Sequence, residues 1–160
     1  MSESTQQTSL FEASGRKITV WVDATCRKPD YSDATDAYGC IIKDSDSEEV
    51  KKAQGQINYE DECTPQVAEY KAIINGIEEV YDKYSSVGVL QVYTDAETPA
   101  KQVGGHYNVN HQHLQSLKRR VNTLRSNFDQ CNIDWKNKTQ SPKLQQADDL
   151  AEDAASGEKA

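Results

Sequence analysis

No uninterrupted apolar run in these 160 residues comes near the roughly 18 needed to cross a bilayer as a helix. A helical membrane span is therefore not expected. The first fifteen residues, MSESTQQTSLFEASG, have neither the basic start nor the apolar stretch of a secretory signal. We read residues 1–15 as a disordered leader and expect a cytoplasmic protein. Cysteine is sparse: Cys26, Cys40, Cys63 and Cys131 stand far apart with no CxxC pair, which argues for free thiols and against a thiolate zinc site. The three histidines, His106, His111 and His113, are read as solvent- or substrate-facing rather than as a metal cluster. No Gly-rich phosphate loop, nucleophile elbow or HExxH pair competes for the chemistry. There is no internal repeat, and no linker long enough to divide the chain. One domain over residues 16–155 is expected, with residues 156–160 as a disordered tail.

Positive charge is also scarce, with a net charge of −8, and at first this disfavours a nucleic-acid partner. Its distribution changes the reading. Residues 1–100 carry nine basic and nineteen acidic side chains, a net of −10, whereas residues 101–145 carry eight basic against two acidic, a net of +6. Such asymmetry can present a phosphate-attracting face on an acidic protein, although solvated helix charges would give the same count.

Residues 17–24, KITVWVDA, alternate apolar and polar and are rich in β-branched and aromatic types, so they read as a strand. YGCIIKD reads as a second strand and residues 50–58 as a weaker third, forming an antiparallel meander. Thr64 and Pro65 suit the cap and first turn of a helix. Val67, Tyr70, Ile74, Ile77, Tyr81 and Tyr84 then recur in steps of three and four as an apolar stripe. VGVLQVYTD reads as a buried strand, followed by a short helix from about Thr98. A helix carrying Leu114, Leu117, Val121, Leu124 and Phe128 follows the GGHYNVN loop, then a fifth strand, CNIDWK, and a last helix from Lys143 to Ala155. The pattern is α/β: a five-stranded mixed sheet, order 3-2-1-4-5, with helices on both faces.

Four carboxylates occupy notable places. Asp23 and Asp95 each end an apolar strand, where an acid is either a turn former or a ligand at the sheet edge. At about 100° per residue, Glu69 borders the apolar stripe of its helix beside Ile73. On the last helix, Ala147, Leu150, Ala151 and Ala154 form the expected buried face, Asp148 flanks it, and Asp149 points to water. If the Asp23 and Asp95 strands are parallel neighbours, their ends lie about 5 Å apart. Close carboxylates raise one another's pKa unless positive charge compensates, and two Mg²⁺ ions with hard oxygen ligands would supply it.

These segments resemble the motifs of a known family. WVDATC resembles the first motif of type 1 ribonucleases H, and TPQVAEYKAIINGIEEV their TNNVAEYxALIxGLE helix. VYTDAE is similar to their YTDS strand end, GGHYNVNHQHLQSLKRRVNTL to their G-x-Y-x-V-x-N segment, and QQADDLAEDA to their final helix. All five occur in family order over residues 17–155, nearest the short archaeal and bacterial branch. The resemblance implies a ribonuclease H-like fold and an endonuclease that cuts the RNA strand of RNA–DNA hybrids, clearing primers and R-loops.

Asp23, Glu69, Asp95 and Asp148 fall on the family's four catalytic, metal-binding carboxylates. The implied chemistry uses two Mg²⁺ ions, or Mn²⁺, one activating water and one steadying the leaving 3′ oxygen, to give 5′-phosphate and 3′-hydroxyl ends. Asp23 would bridge both ions, and Glu69 would touch the 2′-hydroxyl that distinguishes RNA from DNA. Implied nucleic-acid contacts are Ala24, Thr25 and Gln66, with Lys101, Tyr107, Asn108, Lys118 and Arg119 on the basic segment.

Several positions depart from the family. Ala24-Thr25 replaces Gly-Ser, Pro65-Gln66 replaces Asn-Asn, and the family's mobile histidine before the last helix is missing. Lys138 stands near that place, where it could assist product release, but a surface lysine is the favoured expectation. The partner expected is an RNA–DNA hybrid, bound by a monomer away from any membrane. The rivals are a nuclease of the same fold that prefers double-stranded RNA or single strands, and a non-catalytic nucleic-acid-binding module.

Overall fold

In the computed structural model, residues 15–26, 36–57, 64–105 and 112–156 are described. Five strands form one sheet: β1 (Arg16–Thr25), β2 (Asp36–Asp44), β3 (Val50–Ile57), β4 (Val87–Thr94) and β5 (Gln130–Trp135). The helices are α1 (Pro65–Lys83), α2 (Glu97–Val103), α3 (Gln112–Arg125) and α4 (Pro142–Ala155), with a 3₁₀ turn at Lys138–Gln140. The strand order is β3-β2-β1-β4-β5, antiparallel from β3 to β1 and parallel from β1 to β5. The expected sheet and its order are therefore borne out. Most of the regions read as a leader and as a tail lie outside the described residues, as do Cys63, His106, Tyr107, Asn108 and His111. Among the described residues no helix is long and apolar enough to cross a membrane.

The strands sort their side chains by period two. Ile18, Val20 and Val22 of β1, with Cys40 and Ile42 of β2 and Leu90 and Val92 of β4, are fully buried in one cluster with α1 and α3. The opposite face of β1 and β2, which includes Ile41, lies under Leu144, Ala147 and Ala151 of α4. Thr64 starts α1 by accepting a hydrogen bond from Val67 N (3.2 Å), with Pro65 at the first helical position.

The buried stripe of α1 runs through Ile73, Ile77 and Val80, not out through Tyr81 as the spacing suggested. Tyr81 is 56% exposed and meets Phe128 edge-on. The helix comes close to the sheet at Gly76, where an added Cβ would press into Val22 Cγ1; this close approach draws in the face of Ile73 and Val80 rather than that of Tyr81. On α4 the buried residues are Leu144, Ala147, Ala151 and Ala155, with Leu150 and Ala154 half-buried. That face is rotated slightly from the expected one, with α4 seated on Gly39 along Ala147 and Ala151, while Ser141 caps its start through Leu144 N (3.3 Å).

Candidate active site

The parallel pairing of β1 and β4 ends with Val22 opposite Thr94, so Asp23, still within β1, and Asp95, just past β4, stand side by side beyond it. The antiparallel pairing of β1 with β2 sets Asp23 opposite Gly39, and α4 rests on that glycine. A Cβ at Gly39 would collide with the Ala147 carbonyl and lie 2.7 Å from both Ala151 N and Leu150 Cβ. This close approach brings Asp148, one residue beyond Ala147, to the strand ends. Asp149 is exposed, so the choice between the two adjacent aspartates follows from which side of α4 faces the sheet.

These three carboxylates share one cation. Lys138 Nζ donates to Asp23 Oδ2 at 3.0 Å and lies 3.5 Å from Asp95 Oδ2 and 3.6 Å from Asp148 Oδ1. The expectation of a surface lysine is thus corrected. Its segment is fixed at both ends. Lys136 N extends the β4–β5 pairing to Thr94 O (2.8 Å). Asn137 caps the 3₁₀ turn by accepting from Thr139 N (3.0 Å), and Gln145 Nε2 of α4 donates to Lys138 O (3.0 Å).

The electrostatics follow from burial. The Asp23 side chain is only 5% exposed. Its carboxyl is pushed up to about 8, chiefly by burial and then by the charge of Asp95, with Lys138 pulling the other way. Glu69, half-buried on α1, is raised to about 7 by burial and by Asp95, so it belongs to the same electrostatic group. For Lys138, burial works against its charge, but Asp23, Asp95 and Asp148 carry its pKa above the usual lysine value.

Among the described residues no three His, Cys, Asp or Glu side chains close into a ready-made metal cage. The carboxylates stand around the ammonium instead. Even so, the donor set suits a divalent hard cation: carboxylate oxygens from β1, the end of β4 and α4, already gathered about one positive charge.

The remaining expected residues fall into two groups. Thr25 is buried and its hydroxyl donates to Glu152 Oε2 of α4 at 2.9 Å. Ala24 N donates back to Asp23 Oδ1 (2.9 Å), and Ala24 packs against the α1-side core. Gln66 is half-buried on the first turn of α1. Much of the basic segment is engaged locally. Lys101 pairs with Glu97 (3.2 Å) and Arg120 with Glu78 (2.7 Å). The Arg125 guanidinium donates to Cys131 O (2.7 Å) and Val103 O (3.3 Å), and Lys136 lies over the Tyr93 ring. Among the described residues, Lys118 and Arg119 make no ion pair.

A model of the reverse transcriptase-like family matches residues 22–154. The chain belongs to that family. Solved structures agree on the fold. The N-terminal ribonuclease H domain of a Mycobacterium tuberculosis protein is 24% identical, with TM-score 0.74, covering 89% of this chain and 96% of that one. Ribonuclease H1 of the halophilic archaeon Halobacterium salinarum is 22% identical, with TM-score 0.75 and coverages of 88% and 98%. A compost-derived ribonuclease H1, solved with an RNA/DNA hybrid, is 20% identical, with TM-score 0.70 and coverages of 88% and 97%. No curated protein sequence matches significantly. The ribonuclease H fold and the resemblance to type 1 ribonucleases H, both read from the motifs, are borne out.

Proposed function

We propose that this member of the reverse transcriptase-like family is an endonuclease that hydrolyses the RNA strand of RNA–DNA hybrids, leaving 5′-phosphate and 3′-hydroxyl ends. What supports the reading most is the meeting of Asp23, Asp95 and Asp148 around one cation. A similar fold solved with an RNA/DNA hybrid supports the substrate. Asp23, Asp95 and Asp148, with Glu69 beside them, would hold two Mg²⁺ ions, and Mn²⁺ would serve in their place. Bound there, the metal would supply Lewis acidity to the attacking water and the leaving 3′ oxygen. Glu69, raised to about 7, can accept a hydrogen bond from the 2′-hydroxyl beside the scissile phosphate and hold a proton near neutral pH. A monomer acting in the cytoplasm belongs to the same proposal.

A panel of labelled hybrid, double-stranded RNA, single-stranded RNA and DNA duplex, with and without Mg²⁺, tests it. We expect hybrid to be cut fastest, only with metal, and DNA duplex to survive. Equal rates on double-stranded RNA would favour a nuclease of broader preference and direct attention to Pro65, which has no N–H to offer a groove. Binding without any cleavage would leave a non-catalytic module.

Hybrid affinity should depend on salt, because basic groups that meet phosphates release counterions. With Lys101 and Arg120 engaged by carboxylates, Lys118 and Arg119 are the proposed phosphate contacts, with Tyr107 and Asn108 nearby in sequence. Replacing Lys118 and Arg119 by Gln should weaken binding of cleavage-inactive protein to every hybrid sequence. It should also flatten the log–log salt slope by about 1–2. An unchanged slope would assign these charges to a solvated helix face.

A further inference from the structure

The Lys138 ammonium stands where a nuclease of the proposed kind would hold its metal, and this points to a role for the lysine itself. We propose that Lys138 is a tethered counter-ion of the carboxylate site: it compensates Asp23, Asp95 and Asp148 before metal binds, and a divalent cation must displace it to enter. The inference rests on the proposed metal-dependent reading of the site and adds to it an intramolecular competitor that sets the metal requirement.

Three observations carry it. The ammonium has three donors and no acceptor, and it meets three carboxylates from three different elements at 3.0, 3.5 and 3.6 Å. One of these, Asp23, is only 5% exposed, so with the lysine in place its charge is compensated by the ammonium far more than by water. The backbone of Lys138 is held by the Asn137 cap, by Gln145 and by the bond from Lys136 to Thr94. The ammonium is therefore presented at a high effective concentration, while the four-carbon stem leaves it able to swing out. One ammonium cannot match three carboxyl groups once all are ionised, and a divalent ion supplies the further positive charge. With metal in place, the displaced ammonium remains within a side chain's length of the site, where a phosphate of the bound strand can receive it.

The test compares parent, Lys138→Met and Lys138→Arg. Mg²⁺ and Ca²⁺ binding is followed by titration calorimetry, and thermal melting is measured in chelator and in metal. Lys138→Met should bind Mg²⁺ at least 5-fold more tightly and melt at least 3 °C lower in chelator, with a larger gain in melting temperature on adding metal. Lys138→Arg keeps the charge and should restore parent-like metal affinity, a rescue that loss of mere packing would not show. Adding Asp23→Asn to Lys138→Met should recover most of the lost metal-free stability.

Unchanged or weaker Mg²⁺ binding by Lys138→Met overturns the proposal, as does metal-free melting indifferent to the lysine. Failure of the functional reading looks different. A parent that cuts no hybrid in Mg²⁺, while Lys138→Met still gains cation affinity, loses the nuclease assignment and keeps the counter-ion. A parent that cuts hybrid, with no gain in affinity on substitution, loses only the counter-ion.

Discussion

Asp23→Asn is expected to reduce Mg²⁺-dependent hybrid cleavage by about 10³-fold or more, roughly 4 kcal/mol of lost transition-state stabilisation, while the protein folds normally. Asp23 is the most buried of the three carboxylates about Lys138, at 5% exposure against 27% for Asp95 and 33% for Asp148. It lies between β2 on one side and the β4 end on the other, so no neighbouring side chain can take its place. The amide has the same shape and still accepts from Lys138, but it removes one negative charge from an acidic site. Burial and Asp95 hold this carboxyl up at about 8, which means that the metal-free fold carries the ionised form at a cost. The variant should therefore melt a few degrees above the parent in chelator, at about 2–4 °C per kcal/mol for a chain of this size, and should gain less on adding Mg²⁺. Asp149→Asn, on the exposed side of α4, should cleave and melt like the parent. Cleavage near the parent rate by purified Asp23→Asn would remove the carboxylates from the mechanism.

The sheet was legible in the chain because each strand carries its own local signal. Alternation in KITVWVDA and the apolar run VGVLQVYTD fix the faces, and Asp23 and Asp95 stand just past the last β1–β4 pair, although β1 itself runs on to Thr25 along β2. Asp148 could be separated from Asp149 because helical geometry ties each residue's direction to that of Ala147 and Ala151. Tyr81 misled for a related reason: an apolar residue at the right spacing cannot reveal how closely the helix approaches the sheet, and that is set by Gly76 against Val22.

Lys138 was harder still. Nothing within NKTQSPK distinguishes an inserted lysine from a solvated one. The signal that could have found it is topological: β5 runs parallel to β4, and Thr94 pairs with Trp135, so residues just past Trp135 emerge at the same sheet edge as Asp95. The basic segment shows the converse limit, since a count of charges cannot tell that Arg125 is spent on the carbonyls of Cys131 and Val103.

The two faces of the sheet divide the work. The α1 side carries most of the buried apolar residues, whereas the α4 side sets the geometry of the carboxylates. Within the α4 side, Thr25 to Glu152, Gln54 Nε2 to Leu150 O (2.9 Å) and the Ser141 cap hold the helix along its length. Gly39 sets how closely the helix approaches. A change there should leave the main core alone and act on the site.

Gly39→Ala should accordingly cost about 1–3 kcal/mol of stability, the usual range for overpacking, and lower cleavage by about 10²-fold. The added Cβ has nowhere to go. Its neighbours are the Ala147 carbonyl, Ala151 N at 2.7 Å and Leu150 Cβ at 2.7 Å, and two of these are backbone atoms, which cannot rotate aside as a side-chain tip can. Relief to an ordinary contact requires α4 to rise by something on the order of 1 Å, and misplacing a reacting constellation by that much can cost about 100-fold in rate. Asp148 rides on α4 one residue from the collision, while Asp23 and Asp95 stay with the strands. The displacement should therefore widen the site and weaken Mg²⁺ binding together with cleavage. The measurements are the melting temperature, Mg²⁺ affinity and cleavage rate of Gly39→Ala beside Gly105→Ala, a control whose added Cβ meets nothing within 4 Å though its φ of 83° disfavours alanine. Loss of stability without loss of metal affinity or rate would mean that α4 yields elsewhere and that Asp148 does not depend on this close approach.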